Sequence, residues 1–351
     1  MTESNQHNPP LLHDYTHLLN QLPPVRDRGV NVKRQRAFDG RGETEVMEEC
    51  ELPLVDLCGL WSEDVEERDS CASEICKASA EWGFFQIVNH GISLELLRKM
   101  RMKQVKLFKA SFETKAASGL LDNSYRWGNK TATCPNQLSW CEAFHVPLTK
   151  ISDDSCYGEF NSLREVMQEY AGEMQELAKS IAKVLVTNMG VKRGLWEDEC
   201  NASTCFLRLN RYPPCPISPE VFGLVPHTDS DFLTILHQDE HVGGLQLMKD
   251  SKWVAVKPNP DALVVNIGDL FQAWSNDVYK SVEHKVTVNK EAERHSIAYF
   301  LCPSYESFIG CCEEESSIYK NFTFGEYRSQ IQRDVKDYGH KVGLPRFLVS
   351  N

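Results

Sequence analysis

The chain has 351 residues, 41% hydrophobic and 25% charged, with a formal net charge of −12, a globular composition with length enough for one large core and an appendage. The acidic balance argues against nucleic acid, whose binders present basic patches, and no stretch reaches the roughly 18 apolar residues of a membrane span. Thirteen irregularly spaced cysteines without a C-x-x-C pair read as reduced, semi-buried small residues, not as a disulfide framework or a cysteine zinc site.

Residues 1 to about 50 are polar, with NPP and LPP turns. They predict a poorly ordered arm holding one short helix around Leu11 to Leu19. The mixed-sign run from Arg26 to Arg41 reads as a solvated linker. With no basic region leading an apolar block, no secretory signal is expected, and the expected location is cytoplasmic, the nucleus being the alternative.

Ordered structure begins at ELPLVDL, a short strand. Asp64 to Trp82 reads as a helix closing at Gly83, and Phe84 to Gly91 as a buried strand. Ser93 is placed to cap the next helix, with Ile92 and Leu97 as a hydrophobic staple, and that helix is expected to run on through Leu107 and Phe112. Strands around a polar loop are expected between Tyr125 and Leu148. Phe160 to Met189 carries apolar residues at helical spacing, a long helix packed on a sheet, with Gly190 its stop.

From Cys205 the pattern changes to seven short strand-like runs separated by Gly, Pro and Asp: CFLRLNRY, FLTILHQ, GLQLMK, WVAVKP, ALVVNIG, SVEHKVTV and SIAYFLC. A last helix is expected from Gly325 to Tyr338. The expected fold is α+β, a double-stranded β-helix (jelly-roll) core buttressed by helices. It divides into the arm at 1–50, a helix-rich region at 51–200 and a catalytic jelly-roll region at 201–351.

The chemistry concentrates in that last region. His227 and Asp229 are two apart, so on a strand they would share a face, and sheet pairing can bring His284 alongside. Two imidazoles and a carboxylate that leave positions vacant are the ligand set of non-haem Fe(II) oxygenases. Arg294, ten residues after His284, and Ser296 share a strand face, and an Arg grips a carboxylate bidentately. That suits an oxo-acid co-substrate chelating the metal. A zinc hydrolase built on the same three ligands would leave Arg294 and Ser296 without a role. An inactive hormone-binding module would be expected to show damage to the ligands or the anchor, and neither is damaged. His145, His237 and His241 read as surface or satisfied core histidines, and Glu283 as an outward-facing strand residue.

In this order the segments WGFFQIVNHGI (82–92), NRYPPC (210–215), PHTDSDFLTIL (226–236), GGLQL (243–247), VVNIGDLFQAWSNDVYKSVEHKV (264–286) and RHSIAYFLCP (294–303) resemble the plant 2-oxoglutarate- and Fe(II)-dependent dioxygenases. The resemblance implies Fe(II), 2-oxoglutarate and O2 as cofactor and co-substrates, with ascorbate as reductant. It assigns His227, Asp229 and His284 to the metal, Arg294 and Ser296 to the far carboxylate of 2-oxoglutarate, and Tyr212 and Asn210 to the same co-substrate. YRWGNKTAT, QLSWCEAFHVPL and FGEYRSQIQRDVKDYG further resemble the gibberellin 2-oxidases that act on twenty-carbon gibberellins. That implies 2β-hydroxylation and inactivation of a gibberellin-like diterpenoid acid, another plant metabolite such as a flavonoid or a different hormone being the alternative. A rigid apolar cage with a carboxylate calls for an apolar pocket, for which Trp127, Tyr125, Trp140 and Phe300 are the leading candidates, with Phe144 and Phe232 behind them. No nucleic-acid or membrane partner is expected, and a monomer is the default.

Overall fold

The computed structural model describes residues 6–20, 49–134, 137–190, 200, 203–217, 221–310 and 317–349. The run Arg26 to Arg41 lies outside them. In chain order the elements are α1 (Leu11–Asp14), α2 (Thr16–Leu19), β1 (Glu49–Cys50), β2 (Leu54–Asp56), α3 (Val65–Glu81), β3 (Phe84–Val88), α4 (Leu94–Phe108), α5 (Phe112–Ala116), β4 (Tyr125–Trp127), β5 (Glu142–Pro147) and α6 (Asn161–Asn188). Then follow β6 (Phe206–Tyr212), β7 (Phe222–His227), β8 (Leu233–His237), β9 (Leu245–Lys249), β10 (Lys252–Val256), β11 (Leu263–Ile267), α7 (Asp269–Trp274), β12 (His284–Thr287), β13 (Arg294–Leu301), β14 (Phe308–Ile309), β15 (Phe322–Thr323) and α8 (Phe324–Tyr338).

All seven expected runs form strands. An eighth, β7, was hidden by its Gly and Pro residues. With β1 to β5 they make two sheets, β1-β10-β9-β12-β7 and β2-β3-β11-β8-β13-β6-β5-β4, the double-stranded β-helix with its helical buttress. Leu163, Met167, Tyr170, Met174, Leu177 and Ile181 bury one stripe of α6, which packs on β8 and β13 of the larger sheet. No described helix is long and apolar enough to cross a membrane.

Local chemistry sets the helix ends. Asp64 caps α3 by accepting from the Glu66 N–H. Gly83 follows α3 with φ 65°, where a Cβ would lie 2.2 Å from the Lys280 carbonyl oxygen, so only glycine admits the close approach. Thr323 and Glu326 form a capping box at the start of α8. Two expectations fail here. Ser93 occupies the cap position of α4 but its hydroxyl makes no capping bond. Nor does α4 reach Phe112: it ends at Phe108, and Ser111 starts α5 by accepting from the Thr114 N–H.

Of the expected arm, the structure describes residues 6–20 and 49–50, and the first of these stretches differs from a poorly ordered one. Residues 6–20 are docked, not loose: Leu11, Tyr15 and Leu18 are buried with Leu138, Trp140, Cys215 and Val221, and the Tyr15 hydroxyl donates to the Ser139 carbonyl at 2.9 Å. A buried polar cluster completes the attachment. Glu142 accepts from Lys115 Nζ and from Arg211 Nη1, both at 2.6 Å, and from the Tyr125 hydroxyl. Lys115 also donates to the His7 carbonyl at 2.6 Å, and Arg211 to Asn8 Oδ1 at 3.0 Å and to Glu293 Oε2 at 2.9 Å. With every charge paired, burial is tolerated, whereas removing one partner strands the others. Glu142→Ala is therefore expected to cost about 3–5 kcal/mol of stability, read by equilibrium urea denaturation. A loss below about 1 kcal/mol would show that the cluster does not hold the arm and sheet together.

Candidate active site

Strand pairing assembles the site. His284, at the start of β12, pairs directly with His227, the last residue of β7, and their ring centroids are 4.3 Å apart. Asp229 is not on that strand, as the two-residue spacing suggested, but in the loop that follows. Its Oδ1 nevertheless lies 3.6 Å from His227 Nε2 and 3.7 Å from His284 Nε2, and the three ligand atoms are within 4.8 Å of one another.

Each ligand is oriented by a second contact. His227 Nδ1 is 2.8 Å from the Val225 carbonyl and His284 Nδ1 is 3.1 Å from that of Val282. A carbonyl only accepts, so each Nδ1 carries the proton and each Nε2 lone pair faces the site. Asp229 Oδ2 accepts from Thr234 Oγ1 and Asn266 Nδ2, both at 2.8 Å, leaving Oδ1 directed at the histidines. Burial, and then the neighbouring His284, push the His227 imidazole down to about 3, so it is neutral and ready to ligate. Burial alone would raise the Asp229 carboxyl, but His284, His227 and the Asn266 and Thr234 hydrogen bonds bring it down to about 2. Two imidazoles and one carboxylate whose ligand atoms converge in this way fit a divalent cation.

A second feature lies beside it on paired strands. Along β13 and β6, Arg294 is opposite Tyr212 and Ser296 opposite Asn210. Arg294 is only 3% exposed, yet none of its three guanidinium nitrogens has a hydrogen-bond partner among the described residues. The Tyr212 ring lies 5.3 Å from its Cζ and interacts through its charge distribution. A buried guanidinium without a bonded anion is costly, and a carboxylate ligand would satisfy it. Asn210 Nδ2 donates to Ser296 Oγ at 3.3 Å. Behind both, the fully buried Gln104 of α4 donates to the Asn210 and Ser296 carbonyls at 3.0 and 2.8 Å, fixing the register of the two strands. Its only sequence signal was a polar residue on the otherwise apolar stripe of Leu97, Met100 and Phe108.

Both features open on one cavity of about 520 Å³. The alternating residues of β6 and β13 line it as a series of facing pairs, from Tyr212 and Arg294 through Asn210 and Ser296 and through Arg208 and Ala298 to Phe206 and Phe300. At roughly 3.4 Å per residue this row spans about 20 Å. Phe206 stacks on Phe300 at 4.3 Å and on His145 at 3.9 Å. α8 adds Arg328, Ile331, Gln332 and Val335, one stripe at helical spacing.

Of the expected pocket residues, Phe300 lines this cavity. Tyr125, Trp127 and Trp140 do not. Tyr125 is buried with its hydroxyl on Glu142, Trp127 Nε1 donates to Asp14 of the docked arm at 3.0 Å, and Trp140 packs against Leu11 and Leu18. Phe144 and Phe232 are core residues. β4 lies at the edge of the larger sheet, and its aromatic residues serve the arm. His145 is exposed, in line with the surface reading, and stands on the cavity; desolvation of its ring together with Arg208 and Arg328 pushes it down to about 4.

Comparison with known proteins gives a consistent picture. Residues 203–303 match the 2OG-Fe(II) oxygenase superfamily, and residues 52–169 match the N-terminal region described as non-haem dioxygenase in morphine synthesis. Gibberellin 2-beta-dioxygenase 8 of Arabidopsis thaliana is 54% identical across 87% of this chain and 89% of its own. Gibberellin 2-beta-dioxygenase 6 of Oryza sativa subsp. japonica is 53% identical across 97% of this chain and 96% of its own. Among solved structures, JOX2 in complex with 2OG, Fe and JA superposes with a TM-score of 0.71 at 33% identity, covering 87% of this chain and 91% of that one.

Two substitutions test the ligand arrangement by direct titration of Co(II) into the purified protein. His227→Ala is expected to abolish binding. Asn266→Ala, which removes one donor to Asp229, is expected to weaken it by about 10–100-fold. Wild-type affinity in His227→Ala would exclude the site as the metal centre.

Proposed function

Since the chain belongs to the 2OG-Fe(II) oxygenase superfamily, and is thus an Fe(II)- and 2-oxoglutarate-dependent dioxygenase, we propose that it inactivates gibberellins by hydroxylating the 2β carbon, with twenty-carbon gibberellins as its preferred substrates. The observation that carries the chemistry is the unpaired buried guanidinium of Arg294 sharing one cavity with His227, Asp229 and His284. The substrate class is supported by the relatives named gibberellin 2-beta-dioxygenase, which match this chain along most of its length.

In this reading His227, Asp229 and His284 hold Fe(II), and Arg294 with Ser296, Tyr212 and Asn210 holds 2-oxoglutarate. When bound, the pair supplies O2 activation: the keto acid is oxidatively decarboxylated to succinate and CO2 while one oxygen atom enters a substrate C–H bond. The protein's own contribution is placement. The Arg294 fork meets the far carboxylate bidentately, and the two-strand register sets its distance from the ligands. Phe84, Leu224, Leu236, Leu245 and Val286 line the cavity and exclude water. Phe206 and Phe300 offer flat apolar surface to a rigid terpenoid cage. Arg208 and Arg328 stand along the same cavity. Each commits one nitrogen to the protein, Arg208 to Asn210 at 2.8 Å and Arg328 to Tyr305 at 2.7 Å, and keeps others for a substrate carboxylate. Cytoplasmic residence is part of the proposal, and the free buried thiols of Cys71, Cys76, Cys205 and Cys302 accord with a reducing compartment.

Mass-spectrometric product analysis with Fe(II), ascorbate, 2-oxoglutarate and a panel of nineteen- and twenty-carbon gibberellins is expected to give 2β-hydroxylated products with matching succinate. No turnover of any gibberellin, alongside turnover of a flavonoid or another hormone, would reassign the substrate. Arg294→Ala is expected to raise the 2-oxoglutarate KM by roughly 10²-fold, within the 2–5 kcal/mol that truncating one member of a buried charge pair costs. An unchanged KM would remove Arg294 from the co-substrate site.

A further inference from the structure

Past α8 the chain folds back onto the metal-ligand loop. Gly339 ends the helix with φ 77°, and Lys341 then reaches inward. Its Nζ lies 2.9 Å from the Thr228 carbonyl, 2.8 Å from Ser230 Oγ and 2.6 Å from Asp269 Oδ2. An ammonium has three N–H donors, and these three acceptors occupy them. Two of the acceptors belong to the residues on either side of Asp229, whose own carbonyl is 3.4 Å from the same nitrogen.

Asp269, the first residue of α7, closes the other side. Its N–H donates to the Asp229 carbonyl at 2.9 Å. Its Oδ2 accepts from Thr228 Oγ1 at 3.0 Å and from the Tyr327 hydroxyl of α8. Gly343 (φ 75°) packs against this node, since a Cβ there would lie 3.1 Å from Lys341 Cε and 3.3 Å from Asp269 Oδ2. Residues 228–230 form no strand or helix, so their conformation depends on such contacts. The carboxylate of Asp229 has its Oδ2 fixed by Thr234 and Asn266, while its backbone is contacted by the Asp269 N–H and flanked by the two residues that Lys341 holds.

We infer that Lys341 is a positioning residue for the metal centre: it locks the Thr228–Ser230 loop so that Asp229 presents Oδ1 between the two histidines. Through Asp269 and Tyr327 it ties that loop to α8, whose Arg328, Ile331, Gln332 and Val335 wall the cavity. The inference rests on the metal-centre reading above. It competes with a plainer role in which Lys341 and Asp269 form an ion pair that only docks the C-terminal tail.

Co(II) titration of the full-length protein separates the two, with thermal melting recorded in parallel. Lys341→Met is expected to weaken Co(II) binding by about 10–100-fold, the range for loss of an outer-shell contact, and Lys341→Arg to recover part of it. Because Lys341→Met leaves Asp269 buried without its cation, the double variant Lys341→Met/Asp269→Asn supplies a chain free of that burden. It should fold and still bind weakly, since the Thr228 carbonyl and Ser230 hydroxyl have lost their donor. Arg346→Met breaks a different tail contact, 3.0 Å to Asp334 of α8, and should lower the melting temperature while leaving Co(II) affinity at wild type. Wild-type affinity in the double variant overturns the inference and leaves the metal centre standing. Failure of the unmodified protein to bind Co(II) overturns the metal centre itself, and the inference with it.

Discussion

The pairing of His284 opposite His227 is the contact on which the site depends. Residues far apart in sequence come together because β12 is held on both sides, by β7 and by β9, where His284 also pairs with Leu247. Strand side chains alternate faces, so a one-residue slip of β12 would turn His284 out of the cavity and place Lys285 in it. The edge of the Phe84 ring, 5.2 Å from the imidazole, packs against His284 from the opposing sheet. Given that register, a loop of three residues suffices to add the carboxylate.

Two groups of buried charge show how the same physics gives different outcomes. Lys115 and Arg211 are balanced by Glu142 and Glu293 and fully hydrogen-bonded, and the result is a fixed joint between arm, helix and sheet. Arg294 is as deeply buried but has no bonded anion among the described residues, so the fold tolerates an incomplete set of contacts there. The difference marks one cluster as architecture and the other as a place for a ligand. Neighbouring residues contribute to both: Arg211 reaches toward the arm while Asn210 and Tyr212, on either side of it, face the cavity, as strand alternation requires.

The carboxylate ligand depends on a longer chain of contacts than its motif suggests. Asp229 is set by Thr234 and Asn266 from β8 and β11, by the backbone of α7, and by a lysine from the tail beyond α8. The α8 wall of the cavity and the loop carrying Asp229 thus share one hydrogen-bonded node at Asp269.

Much of this was legible in the linear sequence. Short apolar runs bounded by Gly, Pro and Asp marked most strands, helical spacing marked α6, and the pattern of His227, Asp229, His284, Arg294 and Ser296 pointed to the chemistry, because metal and carboxylate recognition need particular side-chain types at particular intervals. What the sequence by itself determined, then, was the class of fold and the class of chemistry. Which aromatic residues line the cavity was decided only by the tertiary structure: alternation says that Tyr125 and Trp127 share a face, but not that β4 lies at a sheet edge beneath the docked arm. The same holds for Gln104, His145 and Lys341, single polar residues whose roles come from partners distant in the chain. No local pattern encodes those partners, since packing and register, not spacing, select them.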